Sequence, residues 1–144
     1  TETDSRILAD PFCQDPLVVF VHSGHPWASR ETLRIEELED QDVILREPGS
    51  TTRRAFEKAL KQTGVTIRPV MEIGSREAVW MAVARGLGIG VVSNLEFMPH
   101  PNLRKLSFVN ADVHTHAHVV CLRERRDSRM IHEFFQIVEE LRQT

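Results

Sequence analysis

Apolar residues recur along this chain in two rhythms. From Pro16 to His22 a β-branched and aromatic run continues without a break and stops at Ser23-Gly24-His25-Pro26, which reads as a buried strand followed by a turn. Ile35 to Leu38 suits one short helical turn, and Asp42 to Arg46 is a second apolar strand, interrupted by Pro48-Gly49. The rhythm then becomes helical. Ala55, Phe56, Ala59 and Leu60 fall on one face, Ser50, Thr51 or Thr52 stands at the N-cap, and Gly64 stands where a C-cap belongs. Val65 to Ile73 alternates loosely as a strand, after which Gly74-Ser75 opens a helix carrying Ala78, Val79, Met81, Ala82 and Val83, closed by Gly86. Ile89 to Val92, Leu103 to Phe108 and His118 to Leu122 read as further strands, and a helix runs from about Ser128 to Leu141. Strands alternating with helices predict an α/β fold with a largely parallel sheet and helices on its faces.

Composition narrows the function classes. The chain has 144 residues, and 41% of them are hydrophobic, enough for one ordinary domain or two small lobes. Eighteen Lys and Arg against twenty-one Asp and Glu leave a net charge of -3, so no broad positive field is available to hold nucleic-acid phosphates. Cys13 and Cys121 are far apart and suggest a reducing compartment, the cytoplasm, rather than a disulfide framework. Apolar runs such as Leu17 to Val21 are far too short for a membrane span, and no export signal is visible.

The candidate chemistry centres on Ser50, Thr51 and Thr52. A strand hands over to a helix there, so hydroxyls and unpaired backbone N–H groups converge at the positive end of a helix dipole, as an anion site requires. An ordinary N-cap with solvated neighbours explains the same residues equally well. Arg46 and Arg53 flank this junction as secondary candidates, each able to pair bidentately with an anion. Ser75 marks a second strand-to-helix junction, where capping alone suffices. Gly86, Gly88 and Gly90 lie after a helix and before a strand, the reverse of a dinucleotide loop, and fit a C-cap and a tight turn. His114, His116 and His118 share one face of an extended segment, as a metal site would need, but a polar strand face explains them as well. Glu36, Glu37, Glu39 and Asp40 read as a solvated charge run. The chain shows no Gly-x-Ser-x-Gly elbow, Walker loop or His-Glu-x-x-His helix, and nothing calls for a cofactor or a catalytic residue.

Three blocks occur in order: Leu45 to Arg53 (LREPGSTTR), Glu72-Ile73-Gly74-Ser75, and Ala84 to Val92 (ARGLGIGVV). With Leu17 to His22 and His25-Pro26-Trp27-Ala28 upstream, they make the chain resemble the effector-binding domain of LysR-type transcriptional regulators. The resemblance implies a two-lobed architecture like that of a periplasmic binding protein, with a small effector in the cleft between lobes and no enzymatic activity. It implies that residues 1–41 belong to lobe one, 42–113 to lobe two, and 114–144 return to lobe one. It also implies that half of lobe one and an N-terminal helix-turn-helix for promoter DNA are absent from this chain. Ser50, Thr51 and Thr52 then match positions that contact a carboxylate, phosphonate, phosphate or sulfate group, and Ser75 falls near the ligand. Homo-oligomers follow from the same resemblance, dimers of sensing domains within a tetramer, paired through Thr51 to Gln62 and Ile67 to Ile73. The alternatives are a solute-binding protein of a transporter, or a metal-binding enzyme or sensor built on His114, His116 and His118.

Overall fold

The apolar run at Pro16 to His22 is the second half of a long strand, β1 (Ile7–His22), in the computed structural model, which describes residues 7–122 and 128–142. Pro11 and Pro16 cannot donate to a strand ladder, and they concealed the first half from a reading by pattern. There follow β2 (Thr32–Leu33), a 3₁₀ turn (Ile35–Leu38), β3 (Asp42–Arg46), α1 (Thr51–Thr63), β4 (Arg68–Ile73) and α2 (Arg76–Ala84). The rest is β5 (Gly90–Ser93), a second 3₁₀ turn (Asn94–Glu96), β6 (Leu103–Phe108), β7 (His114–Leu122) and α3 (Arg129–Arg142). The α/β class read from the pattern is the one observed.

Two compact units share the chain, one with residues up to Gln14 and from His116 onward, the other Asp15–Thr115. The expected boundary at residue 41 does not coincide with this division. Residues 15–41 join 42–113 because the second half of β1 lies between β5 and β6, paired from Leu17↔Ser93 to Phe20↔Gly90 on one side and from Val18↔Ser107 to His22↔Leu103 on the other.

Within Asp15–Thr115 the sheet runs β2-β6-β1-β5, and β3-β4 forms a second, two-stranded sheet. A single bridge, Val43↔Ile89, joins the two through Ile44 N–H to Ile89 O (2.9 Å) and Ile89 N–H to Asp42 O (2.8 Å). The expectation of a largely parallel sheet is corrected to a mixed one. β3 and β4, connected by α1, are parallel, whereas β1 is antiparallel to both β5 and β6. Parallel neighbours need a crossover such as a helix, and α1 supplies the one between β3 and β4.

From Leu17 to Val21 β1 is buried on both faces, which explains why its apolar run does not alternate. Leu17, Val19 and Val21 enter a core with Leu33, Ile35, Leu38, Phe56, Leu60 and Leu106. Val18 and Phe20 enter another with Ile44, Val79, Val83 and Val92. α1 buries Phe56, Ala59 and Leu60 and ends at Gly64, whose φ of 72° is the left-handed conformation a C-cap glycine supplies.

The acidic run is more than a solvated face. Glu37 accepts both guanidinium nitrogens of Arg30 at 2.7 Å and the backbone N–H of Arg34 at 2.8 Å, which holds its carboxyl down at about 2, Arg30 being the larger cause. Glu36 takes the Asn110 amide, and Glu39 takes the N–H of Thr66 at 2.7 Å. These carboxylates therefore tie the turn after β2 to distant segments.

The turn after β1 is built on two imidazoles. His22 Nδ1 accepts the N–H of Gly24 at 3.1 Å, and His25 Nδ1 accepts that of Trp27 at 3.0 Å. Burial, and to a lesser degree the neighbouring His22, lower the pKa of His25 from its ordinary 6.5. A proton on Nδ1 would remove the acceptor. Because the unfolded chain takes up that proton at higher pH than the folded one, this contribution is complete above pH 6.5 and is lost as pH falls through the folded value. The urea midpoint of the wild type is expected to fall between pH 7.5 and 5.5 more steeply than that of His25→Asn; equal slopes would assign the effect to other groups.

The other unit contains the first half of β1, paired with β7, and α3. Ser128 Oγ accepts the N–H of Ile131 at 3.3 Å at the start of α3, and the ion pairs Arg129–Glu133 and Arg142–Glu139 lie along it.

Candidate functional site

The site is built from the ends of β3 and α2. After Arg46 the chain turns through Glu47-Pro48-Gly49, with Ser50 N–H bonded to Glu47 O at 3.0 Å, and enters α1. Ser50 is the N-cap, its Oγ accepting the N–H of Arg53 at 3.3 Å. That leaves the N–H groups of Thr51 and Thr52 open at the helix start, and among the described residues neither threonine hydroxyl is engaged. The first turn of α1 contains no acidic residue to neutralise the dipole. Ser50 is thus a cap, while Thr51 and Thr52 keep their donors for another partner.

The arginines separate into two kinds. Arg53 is committed to the fold: its side chain is only 14% exposed and donates to the carbonyl of Arg46 (2.7 Å), to Glu72 of β4 (2.7 Å) and to Glu57 one turn further on (2.9 Å). Those carboxylates, Glu72 first, raise its pKa further. Arg46 pairs bidentately with Glu47 at 3.0 Å through each of two nitrogens and lowers the pKa of that carboxyl.

Ser75 caps α2, its Oγ accepting the N–H of Ala78 at 3.3 Å and donating to Glu77 at 3.1 Å. Its hydroxyl serves its own helix. The residue after it matters more. Arg76 and Trp80, one helical turn apart, line a small hollow of about 10 Å³, room for about one water, together with Arg46, Thr52, Val79, Val91, Val92 and Glu96. Of the six residues expected from sequence, Arg46 and Thr52 meet in this hollow; Ser50, Thr51, Ser75 and Arg53 do not line it. Arg76, Trp80 and Glu96 were missed. The signal that could have found the first two is their i, i+4 spacing immediately after the Ser75 cap.

The floor of the hollow is rigid. Trp80 packs on Phe20 with ring centroids 4.7 Å apart and on Phe97 at 6.1 Å, and its Nε1–H points to the carbonyl of Met98 at 3.4 Å. Of the histidine triplet, His114 contacts Asp112 at 2.9 Å, while the side chains of His116 and His118 lie outside the described residues. Among the described side chains no cluster of three His, Cys, Asp or Glu is placed to hold a metal.

Residues 1–143 match the family described as the LysR substrate binding domain. The chain belongs to this family. A relative named as the RuBisCO operon transcriptional regulator of Acidithiobacillus ferrooxidans is 46% identical over 88 residues, covering 61% of this chain and 28% of that protein. The LysR domain described here therefore spans well under half the length of that curated relative. Among solved structures, the regulatory domain of Synechocystis CcmR in complex with 2-PG is 29% identical, with a TM-score of 0.76 over 94% of this chain and 66% of that one. CbnR, a LysR family transcriptional regulator, shares the fold with a TM-score of 0.82 at 15% identity, over 94% of this chain and 48% of that one. The two-lobed, periplasmic-binding-protein-like architecture implied by the resemblance is the architecture of these neighbours. Its relatives are regulators rather than transport proteins or enzymes. No helix among the described residues is long and apolar enough to cross a membrane.

Proposed function

We propose that this LysR substrate binding domain is the sensing part of a cytoplasmic transcriptional regulator, and that it binds a small anionic effector at the start of α1. The observation that carries the reading is the open first turn of α1. Two N–H groups and two threonine hydroxyls are unengaged there, no carboxylate stands in the turn, and the turn adjoins a hollow bearing Arg46 and Arg76. Solved relatives with 2-PG and with shikimate support a small-molecule effector, though the second shares only the fold at 18% identity. The domain does no chemistry in this reading: the effector biases two conformations of the regulator by the difference in its affinity for them, and a helix-turn-helix elsewhere in the protein reads promoter DNA.

Thermal unfolding of the complete regulator against carboxylates, phosphonates, phosphates and sulfates tests this. One class at about 100 times its Kd is expected to raise Tm by about 5 °C or more, and Thr51→Ala combined with Thr52→Ala to abolish the shift. Stabilisation that survives both substitutions would remove the effector from this helix start.

A second observation favours self-association. β4 pairs with β3 on one side only, and Val70 and Met71 on it are 41% and 38% exposed. A groove beside them is lined by Leu45, Leu60, Val65, Ile67 and Pro69. Arg53, Glu57 and Glu72 rim the groove, and an open strand edge with apolar residues inside a charged rim is a surface that soluble proteins cover. Pairing of two copies through α1 and β4 covers it.

A further inference from the structure

The imidazole of His22, the last residue of β1, lies between two glycines. A Cβ placed on Gly24 would come within 3.2 Å of its Cε1 and Nδ1, and one placed on Gly86 within 3.4 Å of its Cδ2 and Nε2. Gly86 closes the turn after α2, its N–H on the carbonyl of Val83 at 2.9 Å, so one ring spans the turn after β1 and the end of that helix. The ring of His25 follows, its centroid 5.8 Å from that of His22 and 5.1 Å from that of Trp27. A third imidazole belongs to the next segment: His100 Nδ1 accepts the N–H of Asn102 at 3.1 Å, and the carbonyl of Asn102 accepts the N–H of Ser23 at 2.9 Å. His22, His25 and His100 thus each receive a backbone N–H on Nδ1. A backbone amide only donates, so each of these rings is neutral with its proton on Nε2. The charged neighbours are Arg104, which donates to the carbonyls of Pro101 and Leu103, Arg30, which lies over Trp27 and is held by Glu37, and Arg85 at the C-cap of α2. Burial, then His22, lower the pKa of His25, and no carboxylate among the described residues opposes them.

We propose that His22 and His25 form an acid-released clasp that holds the turn after β1 against the end of α2. A proton taken from solvent onto Nδ1 replaces the lone pair that held the N–H of Gly24 or Trp27, and two donors then face each other. Two imidazolium rings 5.8 Å apart repel, so the second proton enters with the turn open, and release of one ring favours release of the other. Arg30, Arg85 and Arg104 add to that repulsion. A proton on His100 acts in the same direction, because it frees Asn102, whose carbonyl holds Ser23. The opening is local and takes in residues 23–28 and the Gly86 end of α2. Among the described residues β3, β4 and α1 share no hydrogen bond with either ring, and they keep their pairing. The clasp therefore answers to pH whatever the effector is.

Amide hydrogen exchange of the complete regulator at pH 7.5 and 5.5, each rate divided by the intrinsic rate at that pH, tests this. Over that interval an opened imidazole with the ordinary pKa of 6.5 goes from about one-tenth to about nine-tenths protonated, which raises the open population about tenfold per ring. Protection of the Gly24, Trp27 and Leu87 N–H groups is expected to fall about tenfold or more, the last because it bonds Ala82 at the end of α2, while that of Ile44, bonded to Ile89, stays the same. His22→Asn combined with His25→Asn keeps a side-chain oxygen that accepts the N–H two residues on and removes the titration, so its protection is expected to be nearly equal at the two pH values. An equal fall in that variant, no fall in the wild type, or a fall at Ile44 as large as that at Trp27 overturns the clasp. Nitrogen-15 shifts of the wild-type rings at pH 7.5 give a reading that needs no variant. Nδ1 bare and Nε2 protonated is the expected form of His22 and His25, and a proton on Nδ1 of either ring overturns the clasp.

Discussion

Replacing Gly90 with alanine is expected to destabilise the fold by about 2 to 3 kcal/mol, the upper range for forcing an extra carbon into a closed core. A Cβ at Gly90 would lie 2.3 Å from Cζ of Phe20 and 2.5 Å from Cε1, far inside contact distance. The two residues are direct partners across β5 and β1, so the backbone ladder fixes their separation. Phe20 has no free direction in which to yield: it is fully buried, with Trp80 at 4.7 Å and Phe97 at 5.9 Å. Gly49 supplies the control. A Cβ there meets nothing within 4 Å, so Gly49→Ala is expected to change stability by no more than about 0.5 kcal/mol. Urea unfolding of the two variants checks the pair, and a Gly90→Ala midpoint equal to that of Gly49→Ala would contradict the packing described. The consequence reaches the site, because a displaced Phe20 pushes on Trp80, the floor of the hollow.

The second large effect concerns assembly. Met71→Lys in the complete regulator is expected to weaken self-association by about 100-fold, since a charge would have to be buried in an apolar contact or the contact abandoned. Met71 lies on the open edge of β4 and is 38% exposed, so the substitution leaves the fold of the protomer intact. Sedimentation velocity over a concentration series reads the result. A distribution of species unchanged from the wild type would show that copies do not meet through β4.

What the sequence made legible was local. The cap at Ser50, the left-handed Gly64 and the cap at Ser75 stand where short-range spacing put them. The helix-first reading of Gly86 also holds, its φ of 76° closing the turn after α2. Long-range partnerships left no such trace. Arg53 read as an anion ligand because it sits three residues past the cap, but Glu72, 19 residues away, claims it. The boundary at residue 41 came from the resemblance alone, and nothing in the apolar run itself names the strands on either side, since β5 and β6 come about 70 to 90 residues later in the chain. The acidic run is the solvated face it read as, but its partners Asn110 and Thr66 are invisible from Glu36 and Glu39 in the sequence. Arg76 is legible locally, one position past the Ser75 cap and one helical turn before Trp80.

The lone bridge between Val43 and Ile89 marks a seam in the backbone that side chains close. Along it β3, β4 and α1 meet the four-stranded sheet by a rung where other strand pairs have a ladder, so side chains hold the two plates together there, Phe56 and Leu60 against Leu17 and Val19 on one face and Ile44 against Val18 and Phe20 on the other. Arg46 and Thr52 lie on one side of the seam, Val91 and Val92 on the other, and all four line the hollow. The hollow therefore sits on the seam, and a side chain enlarged there would press on both plates at once.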